Sequence, residues 1–308
     1  MQINIADIWG SAVRLKHDQY VKKIIDNSLP AKNRITNQLI LRHGDKLALG
    51  LPFDLRSIIS DIETLKSSVT KRERLEFLND CKALFDYQRF STKGANHWNA
   101  YSLCAESIYR LCPYCQQSLA VTIYRDKRSK ALRPTLDHFY PKHEYPYLAL
   151  SLYNLIPSCY PCNSSLKGKA DFYKKVHLHP YQDQEVIQYD WDIDSYIQHR
   201  KEAGTTALPQ ITIRTLEPKH ALYQQAERSI KTFIVNERLA TCQPEIKRFV
   251  ETLMVYSGDR LDEVNRSVFA EELWPLTPEV ALNFSRADYK NEWLGAVKRD
   301  LYDISWNR

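Results

Sequence analysis

Residues 112–169 constrain this chain more than any other stretch. Four of its seven cysteines fall there as two C-x-x-C pairs, Cys112/Cys115 and Cys159/Cys162. Zinc takes four tetrahedral ligands, and thiolates are its usual structural choice. One C-x-x-C turn presents two sulfurs from a tight loop, and two such turns complete a four-thiolate cage. Pro113 and Pro161 stiffen the two turns. The pairs are 43 residues apart, longer than a simple ribbon, so a small folded insert is expected between them. Zinc held there would be structural, because four thiolates leave no position open to water. The alternative is four free thiols. Paired C-x-x-C turns in a chain of 308 residues fit a metal site better than a disulfide framework. Cys81, Cys104 and Cys242 lie singly among apolar residues and read as buried thiols. This usage points to the reducing cytoplasm.

The same region carries the charge. The whole chain has a formal net charge of +6. Residues 120–175 hold ten Lys/Arg and four Asp/Glu, so this segment alone accounts for the excess. A basic patch suits a polyphosphate partner, and a solvated surface is the plainer reading. The start, MQINIADIWGSAVRLKHDQY, lacks a basic stretch followed by an apolar run, so it does not read as a signal peptide. No segment approaches the ~18 uncharged apolar residues of a membrane span. The eight glycines form neither G-x-x-x-x-G-K-[ST] nor G-x-G-x-x-G, so nucleotide hydrolysis, if it controls this chain, must come from another one.

The flanks read as helical. Apolar residues recur at helical spacing through 3–25, 31–48, 54–65 and 70–89, with Pro30 and Pro52 as breaks. The stripe Leu55, Ile58, Ile59, Ile62, Leu65 is the clearest. Within the central segment, Leu119–Tyr124 and Thr135–Tyr140 read as strands joined by the basic run 125–133. Residues 143–158 read as loop, and Ser164-Ser165-Leu166 could open a helix. Residues 173–218 read as irregular apart from a strand at Gln210–Leu216, and 219–239, 245–256, 259–273 and 278–304 read as helices. The expected fold is α+β. A helical region spans 1–105, a compact module 106–180, and a mainly helical region 181–308.

Between and just after the cysteine pairs lie Asp137-His138, Asn154 and Asn163, in the order L-D-H-x-x-P-K, N-L-I-P and C-x-x-C-N-x-x-L-K-G. This arrangement resembles the HNH (ββα-metal) endonucleases, in the branch with a four-cysteine zinc site, over about 60 residues. The resemblance implies roles residue by residue. His138 would be the general base that deprotonates the attacking water; a free imidazole pKa of ~6.5 suits that task. Asp137 and Asn163 would hold a catalytic Mg²⁺ or Mn²⁺. Asn154 would tie the long loop that aims His138. Asn163 stands where many relatives carry His, and its harder oxygen favours magnesium. The products would be a 5′ phosphate and a 3′ hydroxyl. Phosphodiester hydrolysis also needs cationic anchors, and Arg133, Lys142, Lys167 and Lys169 lie next to the site.

The layout further resembles the PtuB-like HNH subunits of Septu and retron-associated anti-phage systems, whose nuclease pairs with an ABC-type ATPase. That implies an effector endonuclease hydrolysing nucleic acid, DNA ahead of RNA. A zinc-knuckle nucleic-acid-binding or scaffold subunit without catalysis is the alternative. Two weaker signals stay open. His177 and His179 could face the metal or be structural, with His143 nearer the surface. Tyr140, Tyr145, Tyr147, Tyr153 and Tyr160 could stack on bases or pack the core.

Overall fold

The computed structural model describes residues 2–28, 33–94, 97–125, 131–214, 216–269 and 275–306. The chain divides into two compact units. One comprises Met1–Ile3, Pro113–Ser118 and Glu185–Arg308; the other comprises Asn4–Cys112 and Leu119–Gln184. The described residues are rich in helix, with three two-stranded antiparallel sheets. None of these helices is long and apolar enough to cross a membrane.

The second unit opens with α1 (Ser11–Asp26), α2 (Arg34–His43), α3 (Pro52–Ser67), α4 (Lys71–Leu84), α5 (Tyr87–Ser91) and α6 (Ala100–Ala105). Local caps set the starts of α3 and α4. Pro52 occupies the first turn of α3, and Asp54 accepts the Leu51 N–H at 3.0 Å. Thr70 and Glu73 cap α4 reciprocally. The expected stripe on α3 is buried at Leu55, Ile58, Ile59 and Ile62. Burial of an aliphatic side chain contributes ~1.5–3 kcal/mol, so α3 is held mainly by this face.

Three sequence expectations change in the central segment. The first strand is short: β1 (Ile123–Tyr124) pairs with β2 (Ala131–Leu132), and Leu119 makes only an isolated bridge to Leu111. Lys127, Arg128 and Lys130 of the basic run lie outside the described residues. The stretch expected as loop contains a strand. β3 (Thr135–His138) pairs with β4 (Leu155–Ser158), with Asp137 opposite Ile156 and His138 opposite Leu155. Pro157 disguised β4. Proline cannot donate to a ladder, but a two-stranded sheet has only edge strands, where it is tolerated. The following helical turn, Pro161–Lys167, begins at the cysteine knuckle itself. Gly168 ends it at φ +52°, a conformation side chains rarely adopt, and donates to Asn163 O at 2.8 Å.

In the other unit, β5 (Gln188–Trp191) pairs with β6 (Ile211–Arg214), with α7 (Ile193–Ala203) between them. β5 and α7 lie in the stretch that sequence read as irregular. The helices α8 (Tyr223–Thr232), α9 (Val235–Thr241), α10 (Gln243–Val255), α11 (Gly258–Val268), α12 (Pro278–Leu282) and α13 (Gly295–Ser305) complete it. The segment Pro113–Ser118 is built into this unit. Tyr114 stacks on Phe233 with ring centres 4.3 Å apart. Gln116 donates to Tyr289 O and accepts from Ala296 N at 2.7 Å.

Candidate active site

The thiols of Cys112, Cys115, Cys159 and Cys162 are buried, and their Sγ atoms all lie within 4.8 Å of one another. A tetrahedral zinc with Zn–S bonds of ~2.3 Å sets its sulfurs ~3.8 Å apart, so small adjustments give a four-thiolate cage. The Gln117 N–H lies 3.5 Å from Cys115 Sγ and would support a thiolate there. The donor set and its spacing fit zinc. The other thiols differ: burial raises the Cys81 pKa and pushes that of Cys104 up to about 12, leaving both inert.

Asp137 and His138 end β3 and are both buried. The His138 Nε2 lies 3.1 Å from the Ala149 carbonyl oxygen. A carbonyl cannot donate, so Nε2 carries the proton and Nδ1 keeps its lone pair. Burial lowers the His138 pKa to about 3, with Lys142 and Lys167 adding repulsion against the charged form and the Ala149 bond opposing it. The ring is therefore neutral throughout the physiological range. Its other neighbour is Tyr87, edge-on with ring centres 4.4 Å apart. Tyr87 and Ala149 also line a cavity of about 290 Å³ with Lys82, Phe85, Lys142 and His143. His138 itself does not line this cavity but contacts two residues that do.

Asn154 clamps the loop that carries Ala149. Its Oδ1 accepts from Tyr140 N at 2.7 Å, and its Nδ2 donates to Tyr140 O and Leu148 O at 3.1 and 3.0 Å. The loop is also tied to the N-terminal helices: Ser151 Oγ donates to Leu47 O at 2.6 Å, and His17 Nε2 donates to Leu150 O at 2.7 Å. Adjacent carbonyls, Ala149 and Leu150, are each held by a buried imidazole.

Lys167 differs most from its expected place as a phosphate anchor. It is 4% exposed, and its Nζ lies 2.8 Å from Asp137 Oδ1 and 2.6 Å from His138 O. Lys142 is exposed, with its ammonium 4.2 Å from the Tyr87 ring centre. Arg133 is half-buried and donates to Pro134 O and Ser91 O. Lys169 is exposed. Asn163 is half-buried on the Pro161–Lys167 turn, one turn before Lys167. The structure thus gathers Asp137, His138 and Lys167 into direct contact, with Asn154 behind them.

The weaker signals resolve toward packing. His177 stacks on Phe172 at 3.8 Å, and His179 lies against Phe139 at 3.9 Å. Neither joins a metal-holding group among the described residues. Tyr140, Tyr145, Tyr147 and Tyr153 are buried, whereas Tyr160 is 67% exposed. Sequence reasoning missed Tyr87, which the fold brings to His138 from fifty residues away, and the Ala149 carbonyl, which no side-chain motif reveals.

Comparison with known proteins gives two partial likenesses. The chain is 27% identical to protein Ea31 of Escherichia phage lambda over 179 residues, 56% of this chain and 57% of that protein. It is 38% identical to the Septu protein PtuB of Bacillus thuringiensis over 69 residues, 22% of this chain and 23% of PtuB. The chain therefore spans a little over half of one relative and less than a quarter of the other. No family profile and no solved structure matches it.

Proposed function

We propose that this chain is a divalent-metal-dependent endonuclease of the HNH kind that hydrolyses phosphodiester bonds, with DNA the foremost substrate. The observation that carries this reading is the His138 imidazole. It is neutral, its proton is fixed on Nε2 by Ala149 O, and it follows Asp137, whose carboxylate already holds a cationic group. The order β3, long loop, β4, helical turn, with Asn154 clamping the loop, supports a ββα-metal module. So do the four adjacent thiols.

In this reading His138 Nδ1 takes a proton from the attacking water as its oxygen bonds to phosphorus. The P–O3′ bond breaks, and the departing 3′ oxygen takes its proton from solvent. Asp137 and Asn163 offer hard oxygen donors suited to Mg²⁺ or Mn²⁺. A cation bound there supplies charge neutralisation of the phosphate and the leaving oxygen. The exposed Lys142 and Lys169, with the half-buried Arg133, would anchor the backbone. The low pKa keeps His138 unprotonated but makes Nδ1 a weak proton acceptor, so the attacking water would have to be acidified by a bound cation for the transfer to run.

The likeness to a Septu protein supports a further step: the chain serves as the nuclease of an anti-phage complex with an ABC-type ATPase partner. A rival reading, a zinc-knuckle nucleic-acid-binding or scaffold subunit without catalysis, draws on the closed Asp137–Lys167 pair. Plasmid nicking separates the two. The nuclease converts supercoiled plasmid to open circles with Mg²⁺ or Mn²⁺ and stops with EDTA. His138→Ala should lower the rate by ~10²–10⁴-fold, the range for loss of a general base. Wild-type protein that binds DNA but never nicks it, alone or with its copurified partner, sinks the catalytic reading.

A further inference from the structure

The cavity beside His138 takes no part in the hydrolytic step itself. It lies where the end of α4 and the start of α5 meet the long loop between β3 and β4, and its volume is about 290 Å³. That is room for about ten waters at ~30 Å³ each, or for one flat nucleobase with part of its sugar. Phe85, Tyr87 and Pro146 give it an apolar wall. The exposed Lys82, Gln88 and Lys142 also line it, so it opens to solvent.

These walls select the chemistry of an occupant. Two ammoniums against one carboxylate, Asp86, disfavour a bare cation, and Asp86 Oδ1 already accepts the Arg89 N–H at 3.0 Å as the cap of α5. An inorganic anion would use the lysines and leave the apolar wall uncovered. A purely apolar ligand would leave the ammoniums without a partner. Lys142 has the greater need of one. Its Nζ sits 4.2 Å from the Tyr87 ring centre, and desolvation lowers its pKa with no carboxylate opposing the shift. A group that is flat and aromatic at one end and anionic at the other satisfies both kinds of wall, and a nucleotide is such a group. Gln88 offers an amide donor and acceptor to a base edge. The cavity also adjoins the candidate base. Tyr87 touches the His138 ring, with centres 4.4 Å apart, and the Ala149 oxygen accepts from His138 Nε2. An occupant therefore sits one residue away from that imidazole.

We propose that this cavity is a subsite for one unpaired nucleotide of the substrate strand, its base against Phe85, Tyr87 and Pro146 and a flanking phosphate between Lys82 and Lys142. The proposal rests on the nuclease reading and adds a specificity to it. A base within a duplex must unstack and leave its partner to enter so small a space, whereas a bulged or single-stranded base avoids most of that cost. The chain should therefore favour DNA with an unpaired base near the cut.

The test uses fluorescence anisotropy of the full-length, zinc-loaded protein, without added divalent cation, on three labelled DNA duplexes. One is fully paired, one carries a bulged thymidine, and one carries an abasic residue in the same bulge. The two bulged duplexes have equal charge, so their difference reads the base alone. Wild-type protein should bind the thymidine bulge at least about fivefold more tightly than the abasic bulge, the low end of what base–aromatic stacking gives. Gln88→Trp, which fills the cavity from an exposed position, should bring that ratio below about twofold. Lys82→Met should weaken the thymidine bulge at least about twofold more than the fully paired duplex. Equal affinity for the two bulges in wild type overturns the proposal, and so does a preference that survives in Gln88→Trp. If that variant does not fold, the wild-type comparison and Lys82→Met decide. Free dTMP that displaces the thymidine-bulge duplex at concentrations near the duplex's own Kd assigns the cavity to a free nucleotide and overturns the strand subsite. Metal-dependent nicking without a base preference defeats this inference and leaves the nuclease reading standing. A base preference lost in Gln88→Trp, in a protein that never nicks, keeps the nucleotide subsite and defeats the nuclease reading.

Discussion

His17 and His179 are fully buried, and burial lowers their pKa values to about 4 and about 3, from an ordinary 6.5. The geometry explains why neither can take a second proton cheaply. Trp98 Nε1–H points at His17 Nδ1 at 3.1 Å, and Tyr181 N–H points at His179 Nδ1 at 3.2 Å. A proton placed on either Nδ1 would face another donor. In the unfolded chain both rings protonate near pH 6.5. The unfolded state therefore binds more protons than the native state below that pH, and stability falls as the solution is acidified. The contribution is fully present above pH 6.5 and is lost progressively as pH drops toward the folded pKa values. At 1.36 kcal/mol per pKa unit, going from pH 7.5 to 5.5 removes about 1.3 kcal/mol per ring, or about 2.7 kcal/mol for the pair. Both rings lie in the second unit, where such a loss corresponds to a Tm drop of roughly 5–10 °C. Urea unfolding at the two pH values, followed by tryptophan fluorescence, measures it. The control is the double variant His17→Gln, His179→Asn, whose side chains keep a donor or acceptor near the ring nitrogens without titrating. It should lose about 2.7 kcal/mol less than wild type over the same interval. An equal loss in both proteins would show that these rings do not set the acid sensitivity.

Three further outcomes follow from the site. Cys115→Ser should lower the zinc content of the purified protein from one equivalent and its thermal midpoint with it, as read by elemental analysis and calorimetry. Asn154→Ala removes three buried hydrogen bonds and should destabilise the protein by about 3 kcal/mol or more, with nicking falling further than the remaining folded fraction explains. Asp137→Asn leaves the Lys167 ammonium buried without its counter-charge, at a cost of about 3–5 kcal/mol. Adding Lys167→Met should recover most of that in a denaturant series.

The sequence was most legible where chemistry demands fixed spacing. The four thiols meet as their two C-x-x-C turns implied. The stripe on α3 marks a helix because it obeys a local rule, and Pro52, read as a break, lies in that helix's first turn. β4 was hidden by Pro157, and β5 and α7 by the mixed polarity of short elements whose pairing is set by distant neighbours. At the site, Asp137, His138 and Asn154 stood out by motif, but their environment did not. Whether a lysine next to a motif reaches outward to phosphate or inward to a carboxylate depends on its rotamer and on Phe172. Periodicity carries no record of either.

The two neighbouring carbonyls gripped by His138 and His17 have a consequence for any attempt to isolate a minimal catalytic fragment. His17 belongs to the first helix, far upstream of every motif residue. A truncation beginning near residue 106 would keep each of the motif letters yet release the Leu150 side of the hold, along with the Leu47 and Ala48 tethers. The aim of the imidazole is thus stored partly in a segment that motif searches would discard as an appendage.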